Sequence, residues 1–331
     1  MGLFTKGLGY LPHLGVLLLA ALPLLLPVAC SSTYQKPLTV GTNVWIGNEP
    51  LYLARSLGYY DGSRLRLVEL SSNTQSMDAL RSGRLDAASL TLDEALTLVA
   101  EGVPLRVVWV LDVSAGADAV LGRAGVETLA DLRGRRIGVE QTATGAYLLD
   151  AALHRAGLTP TDVDIVPLPV DAHIEEFRKG HVDALVTFDP SRLSLLNEGA
   201  HALFDSRQLP GEIVDVLVVR DEALKCCAED IRRLIAGQQR ALAYLARHRE
   251  DALARMTPRL GLPPAGVAQS LSGLVLPDMP YNRALIGGST PVLQASAQRQ
   301  ATLMQQHGLL ATAPDTRGLL DGRFTRDEAA K

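Results

Sequence analysis

The chain has 331 residues, 47% of them apolar and 21% charged, with a formal net charge of −4. That balance, without any basic stretch interleaved with aromatics, speaks against a nucleic-acid partner, and the length suffices for two lobes with cores of their own. The three cysteines, Cys30 and the neighbours Cys226 and Cys227, offer no Cys-x-x-Cys or His/Cys spacing, so no metal site is expected.

Residues 1–29 read as an export signal. Lys6 gives a weakly basic start, residues 14–29 are apolar but shorter than the roughly 20 residues of a spanning helix, and small Ala29 precedes Cys30. The segment Pro27-Val28-Ala29-Cys30 is similar to a bacterial lipoprotein signal, in which Cys30 becomes the lipidated, palmitate-bearing first residue of the mature chain. Pro27 stands where such signals usually carry Leu, and ordinary cleavage near Ala29 is the alternative. Either reading sends the protein to the cell envelope, on the periplasmic face. Residues 1–29 hold one of the 32 Lys and Arg and none of the 36 Asp and Glu, so their removal leaves a charge of −5.

Residues 31–37 form a short polar tether. A strand at 38–44 runs into Trp45-Ile46-Gly47-Asn48-Glu49-Pro50 and a helix at 51–57 that stops at Gly58. A second strand follows at 65–70, and Ser71-Ser72-Asn73 cap a helix reaching Arg81. Strand 86–90, helix 92–100, the strand 105–111, apolar but for Arg106, and strand 117–121 come next. The second lobe has a short helix at 129–132, strand 136–139, helix 146–156, strand 163–168, helix 173–179, strand 184–187, helix 191–197 and strand 201–204. Strand 214–219 returns the chain to the first lobe. The remainder is helical, with a long helix at 228–247, and residues 311–331 read as a polar, loosely packed tail. The alternation makes the class α/β.

One motif occurs twice. Residues 80–95 and 177–192 share the pattern apolar, Arg, any residue, Gly, any residue, apolar, Asp, Ala. Arg81 and Arg178 suit the negative end of a helix, and Gly83 and Gly180 can take a left-handed cap. Each copy is a helix–Gly–strand unit, so the chain is expected to hold two similar α/β lobes facing one another over a cleft. Generic α/β punctuation is the competing explanation.

Residues 45–54, the two repeated units and Asp131-Leu132-Arg133-Gly134-Arg135-Arg136-Ile137-Gly138-Val139 together resemble the periplasmic substrate-binding proteins of ABC importers of the nitrate, sulfonate and taurine type. That family includes binders of thiamine pyrimidine precursors. The resemblance implies a two-lobed periplasmic binding protein type II fold. Each lobe is then a mixed sheet flanked by helices, with the ligand in the cleft between lobes. Lobe 1 would comprise 38–121 plus 214–310, and lobe 2 residues 122–213. It also implies a monomer that traps a small molecule and delivers it to a permease and an ATPase, with no cofactor and no catalytic residue.

Ligands of open α/β sheets sit beyond the carboxyl ends of the strands. That rule selects Trp45, Asn48, Glu49, Ser72, Asn73, Thr91, Asp93, Glu94, Asp112 and Asp118 from the first lobe. From the second it selects Glu140, Thr142, Thr144, Gly145, Phe188, Asp189 and Arg192. Trp45 either stacks on a ligand or is a core aromatic. Thr142 to Gly145 either bind an anion at a helix start or merely cap it. Glu49, Asp93, Glu94 and Asp112 are solvated, paired with Arg, or ligand-facing. His173 reads as a loop histidine, and Asp86 and Asp183 as structural. The set holds many carboxylates and one arginine, which favours an amine-bearing or nitrogen-rich solute, zwitterionic at most, over a simple anion.

Two other functions compete. A tethered lobe pair can report its ligand to a separate membrane sensor protein, and Ser31 after Cys30 keeps that reading open. A pyrimidine-synthase-like enzyme would need a denser cysteine pattern than Cys226-Cys227, which read as ordinary thiols on a helix.

Overall fold

The computed structural model describes residues 36–140 and 144–326. The export signal, Cys30 and Thr142 lie outside the described residues. The first half runs β1 (Leu38–Thr42), α1 (Glu49–Ser56), β2 (Leu65–Glu69), α2 (Asn73–Arg81), β3 (Ala87–Thr91), α3 (Leu92–Ala100), β4 (Leu105–Ser114) and β5 (Asp118–Gly122). Then come β6 (Arg136–Val139), α4 (Thr144–Arg155), β7 (Asp164–Pro167), α5 (His173–Lys179), β8 (Ala184–Phe188), α6 (Ser191–Asn197), β9 (His201–Asp205) and β10 (Val214–Arg220). The chain ends in α7 (Asp221–Cys226), α8 (Ala228–Arg247), α9 (Arg249–Leu260), α10 (Pro264–Leu271), β11 (Leu274–Val275), α11 (Met279–Ile286) and α12 (Val292–Gln306).

Two mixed sheets result. The first has the order β11-β4-β10-β3-β1-β2 and the second β7-β6-β8-β5-β9. In the first, β1 lies parallel between β2 and β3, and β10 runs antiparallel to β3. In the second, β6 lies parallel between β7 and β8, and β5 runs antiparallel to β8. The same four-strand arrangement is built twice.

The repeated motif explains why. Asp86 accepts from the backbone N–H of Thr39 (2.8 Å), and Asp183 accepts from that of Arg136 (3.0 Å), each 47 residues away. Both carboxylates thereby fasten the strand of the repeat to the central parallel strand of its sheet. Arg81 donates to Glu101 and Arg178 to Glu198, each 20 residues on, at 2.6 and 2.9 Å. The two arginines thus pair with carboxylates beyond the next helix, in addition to sitting at a helix end. Gly83 and Gly180 hold φ of 69° and 73°, the left-handed turn that lets each helix give way to its strand.

The first sheet is buried on both faces. Leu51, Ile231, Leu234 and Trp109 fill one side with α1 and α8, while Leu80, Leu96, Ala297 and Met304 fill the other with α2, α3 and α12. In the second sheet, Leu148, Leu149 and Leu153 of α4 cover one face, and Phe177 and Leu195 the other.

Three expectations are corrected. β5 belongs to the second sheet, where it pairs with β8 and β9, so the chain leaves the first sheet between Ser114 and Asp118 instead of at 121. Its apolar run carried no sign of which sheet it would join. Residues 311–326 are packed: Val107 donates to Leu319 (2.9 Å), Asp321 donates back to Val107 (2.8 Å), and Leu319 and Phe324 are buried. It covers part of β4 beyond the two-residue β11, where a bare edge would otherwise stand. Finally, Cys226 and Cys227 form a disulfide. The helical stretch expected there breaks between them, with Cys227 in a non-helical conformation joining α7 to α8.

Candidate functional site

A cavity lies where the carboxyl ends of both sheets converge. It holds about 560 Å³ of empty space, open solvent at its mouth included. Asn43 and Trp45 enter it after β1, Asn73 from the start of α2, Thr91 and Glu94 from the β3–α3 junction, and Asp215 from β10. Asp118 of β5, Glu140, Thr144, Gly145, Leu148, His173, Val186, Thr187 and Phe188 come from the second sheet and its helices.

Side chains of the two walls touch. Thr91 and Thr144 share a hydrogen bond of 2.5 Å between hydroxyls, and Thr144 reaches Asp93 at 3.3 Å. Thr74 donates to Glu140. The rings of Trp45 and Phe188 meet edge to face with centroids 5.7 Å apart. Trp45 also donates its indole N–H to Asp112 (3.2 Å), which fixes the ring against the cavity wall.

The local folds that deliver these groups are simple. Ser72 caps α2 by accepting from Gln75, which places Asn73 at the first turn. Glu94 folds back to accept from the backbone N–H of Thr91 (2.9 Å) and from Asn73 (2.8 Å). Gly47 is required beside the indole, because a Cβ there would lie 1.9 Å from Asp112 Oδ2.

The cavity is acidic. Burial raises Asp112 and Asp118 to about 7 and Asp93 to about 6. Glu94 and Asp215 are raised well above the carboxylate range by burial and by neighbouring carboxylates, and burial also raises Glu140. His173 is buried, pushed down to about 4 by desolvation, and therefore neutral. Among the described residues the lining holds no Lys or Arg. Asn73 Oδ1, Asp118 Oδ2 and His173 Nε2 are buried at the lining without a hydrogen-bond partner among the described residues. Asn73 Oδ1 is an acceptor at any pH and Asp118 Oδ2 becomes one when the carboxyl ionises, so the site suits a ligand that brings donors.

Of the residues expected from sequence, Trp45, Asn73, Thr91, Glu94, Asp118, Glu140, Thr144, Gly145 and Phe188 line the cavity. Asp93 and Asp112 are buried one layer behind it, and Ser72 serves as a cap. Asn48 turns inward to bond Asn43 (3.0 Å), and Glu49 pairs with Arg259, so neither reaches the cavity; the first turn of α1 points them behind the strand end. Asp189 and Arg192 bind each other at 3.0 Å beneath α6. The single arginine of the expected set is thereby spent. His173, which the strand-end rule also reaches, lines the cavity from the start of α5 and not from a loop, with Thr187 at 3.2 Å from its Nδ1.

Asn43, Leu148, Val186 and Asp215 were absent from the expected set. Asn43 follows β1 directly, so the strand-end rule reaches it. Asp215 is a lone carboxylate in the apolar strand Val214–Arg220, a signal readable in the sequence. The apolar walls Leu148 and Val186 carry none.

Known proteins resemble this chain. The NMT1-like family matches residues 32–257, and the chain belongs to that family. An Escherichia coli (strain K12) protein named for aliphatic-sulfonate binding is 30% identical over 216 residues, 64% of this chain and 67% of its own length. The taurine-binding periplasmic protein of the same organism is 27% identical over 164 residues, 49% of this chain and about half of its own length (51%). The alkanesulfonate-binding protein SsuA from Xanthomonas axonopodis pv. citri, solved with MOPS, superposes with a TM-score of 0.74 at 21% identity, covering 86% of this chain and 97% of its own. That likeness gives the fold: a two-lobed α/β periplasmic binding protein.

Proposed function

We propose that this member of the NMT1-like family is the exported solute-binding component of an ABC importer, and that its solute bears an amine or another cationic nitrogen group. The observation that carries the ligand class is the lining itself: buried carboxylates and acceptors without partners, with no Lys or Arg among the described residues. A sulfonate alone would meet Glu94, Asp118, Glu140 and Asp215 with no cation opposite it. An ammonium group offers three donors and a compensating charge. The names of the relatives support binding instead of catalysis, and in the importer reading the partners are a permease and an ATPase. In this reading Cys30 carries the lipid that holds the protein at the membrane.

A zwitterion is the second reading. The first turn of α4 lines the cavity at Thr144 and Gly145, and a helix start favours an anionic group. Thermal-shift titration with benzylamine, taurine and benzenesulfonate separates these. Benzylamine and taurine should both stabilise the protein; taurine alone doing so selects the zwitterion. Stabilisation by benzenesulfonate without benzylamine would sink the amine reading. For the anchor, palmitate labelling should be lost in Cys30→Ser.

A further inference from the structure

The carboxylates of the cavity are not equivalent. Asp112 of β4 and Asp215 of β10 are direct cross-strand partners, and both are buried. Two buried carboxyl groups side by side ionise together only at high cost, so the pair holds a proton more firmly than either would alone. Asp118 of β5 adds a third carboxyl from the opposite sheet, with Oδ2 buried and lacking a partner among the described residues. Asp215 and Asp118 line the cavity, while Asp112 stands behind, holding the indole of Trp45. His173 Nε2, from a residue 1% exposed, is a second buried atom at the lining without a partner.

We propose that Asp112, Asp118 and Asp215 form an ammonium subsite in which the bound cation takes the place of a carboxyl proton. The proposal rests on the amine reading and adds a stoichiometry to it. An alkylammonium ion enters as R–NH₃⁺, one carboxyl gives its proton to solvent, and the complex holds the ammonium beside a carboxylate with no net change of charge in the cavity. The acidic groups facing the subsite push its carboxyls upward, against the lowering hydrogen bonds of Trp45 to Asp112 and of Ser114 to Asp118. Asp93 and Glu94 of α3 and Asp189 after β8 act on it with like charge, and Glu140 and neutral His173 complete the lining. Among the described residues, Arg192, the nearby cation, is bonded to Asp189. With no Lys or Arg in the described lining, burial keeps Asp112 and Asp118 protonated to near pH 7, and a bound cation lowers that threshold. Affinity therefore rises with pH below about 7 and levels off above it.

Metal is the competing cation, but no group of three or more His, Cys, Asp and Glu among the described residues has metal-holding geometry. The ring pair of Trp45 and Phe188 and the side chains of Leu148 and Val186 suit an organic body beside the charge.

The test is calorimetric titration of the mature protein with benzylamine, benzyl alcohol and benzenesulfonate at about pH 6, in two buffers of different ionisation enthalpy. Benzylamine should bind and release close to one proton, and benzyl alcohol should not bind. Asp215→Asn should weaken benzylamine about thirtyfold and remove the proton release. That variant should unfold at the same temperature or higher, since it deletes a buried acid; Asp118→Asn serves if it does not fold and should also abolish proton release. Benzylamine binding without proton release, or equal release by the variants, overturns the subsite and leaves the amine reading standing. Binding of benzenesulfonate in place of benzylamine overturns both. Calcium or zinc binding with the same proton release would overturn the assignment to an organic ammonium.

Discussion

Thr91 and Thr144 meet hydroxyl to hydroxyl at 2.5 Å, one at the end of β3 and the other at the start of α4. The contact joins the two sheets across the mouth of the cavity, and Asp93 supports it from behind through Thr144. Binding proteins of two lobes work by differential contacts in open and closed states. This pair is a direct contact between the two sheets of the kind such a change would make or break.

Thr144→Val removes both bonds while keeping the shape of the side chain. Asp93 then loses a donor in a buried setting. Chemical denaturation should show a loss of about 1–2 kcal/mol, and Thr144→Ser should restore most of it. No change would mean the hydroxyl contributes nothing to holding the walls together.

The buried acids make stability depend on pH. Asp118 titrates near 7 in the folded protein and near 4 when unfolded, so between those values the folded state binds more protons. Its contribution is fully present below about pH 4 and lost as pH rises through about 7. The acids lowered by arginine partners, such as Asp183, act below the ordinary carboxylate range and leave this window alone. Ligand-free protein should therefore melt at a lower temperature at pH 8 than at pH 5, and Asp118→Asn should flatten the difference. A rise in melting temperature over that range would contradict the buried-acid account.

Gly47 has ordinary backbone angles yet no room. Its Cβ would fall 1.9 Å from Asp112 Oδ2 and 2.4 Å from Trp45 Nε1. Gly47→Ala must push the indole off Asp112, at a cost of about 1–3 kcal/mol. Tryptophan fluorescence should report the displaced ring, and an unchanged spectrum and stability would show that the indole bond is dispensable.

Arg259 ties α9 to the first sheet. It pairs with Glu49, donates to Glu69 (2.6 Å) and to the carbonyl of Asn43, and its guanidinium lies 3.7 Å from the ring centre of Tyr52. Burial still pushes Glu49 up to about 7, because desolvation outweighs the attraction of the arginine. Arg259→Met should cost about 3 kcal/mol in denaturant, and Glu49→Gln added to it should recover part of the loss. Additive losses would show the pair to be uncoupled.

Much of the architecture was legible. The repeat of Arg, Gly and Asp named two equivalent units, and the structure gives its carboxylates the same backbone partner position in each sheet. The strand-end rule placed nine of the expected residues around the cavity, because polar groups at buried strand ends have little else to face. It failed at Asn48, Glu49, Asp189 and Arg192, where a helix turn or a neighbouring partner consumed the side chain. The expected lobe boundary at 121 also put β5 in the wrong sheet, since an apolar run does not announce its neighbour.

The sequence by itself determined the α/β alternation, the two copies of one unit and the excess of carboxylates over arginines near the strand ends. Those are local or compositional, readable from periodicity, spacing and count. Only the tertiary structure decided which carboxylates share a cavity. Asp112 and Asp215 are 103 residues apart in the numbering yet opposite one another across a strand pair, with Asp118 contributed by the other sheet. Charge in water is cheap and carries no memory of position. Burial beside like charge is what turns three ordinary aspartates into a group that holds protons and awaits a cation.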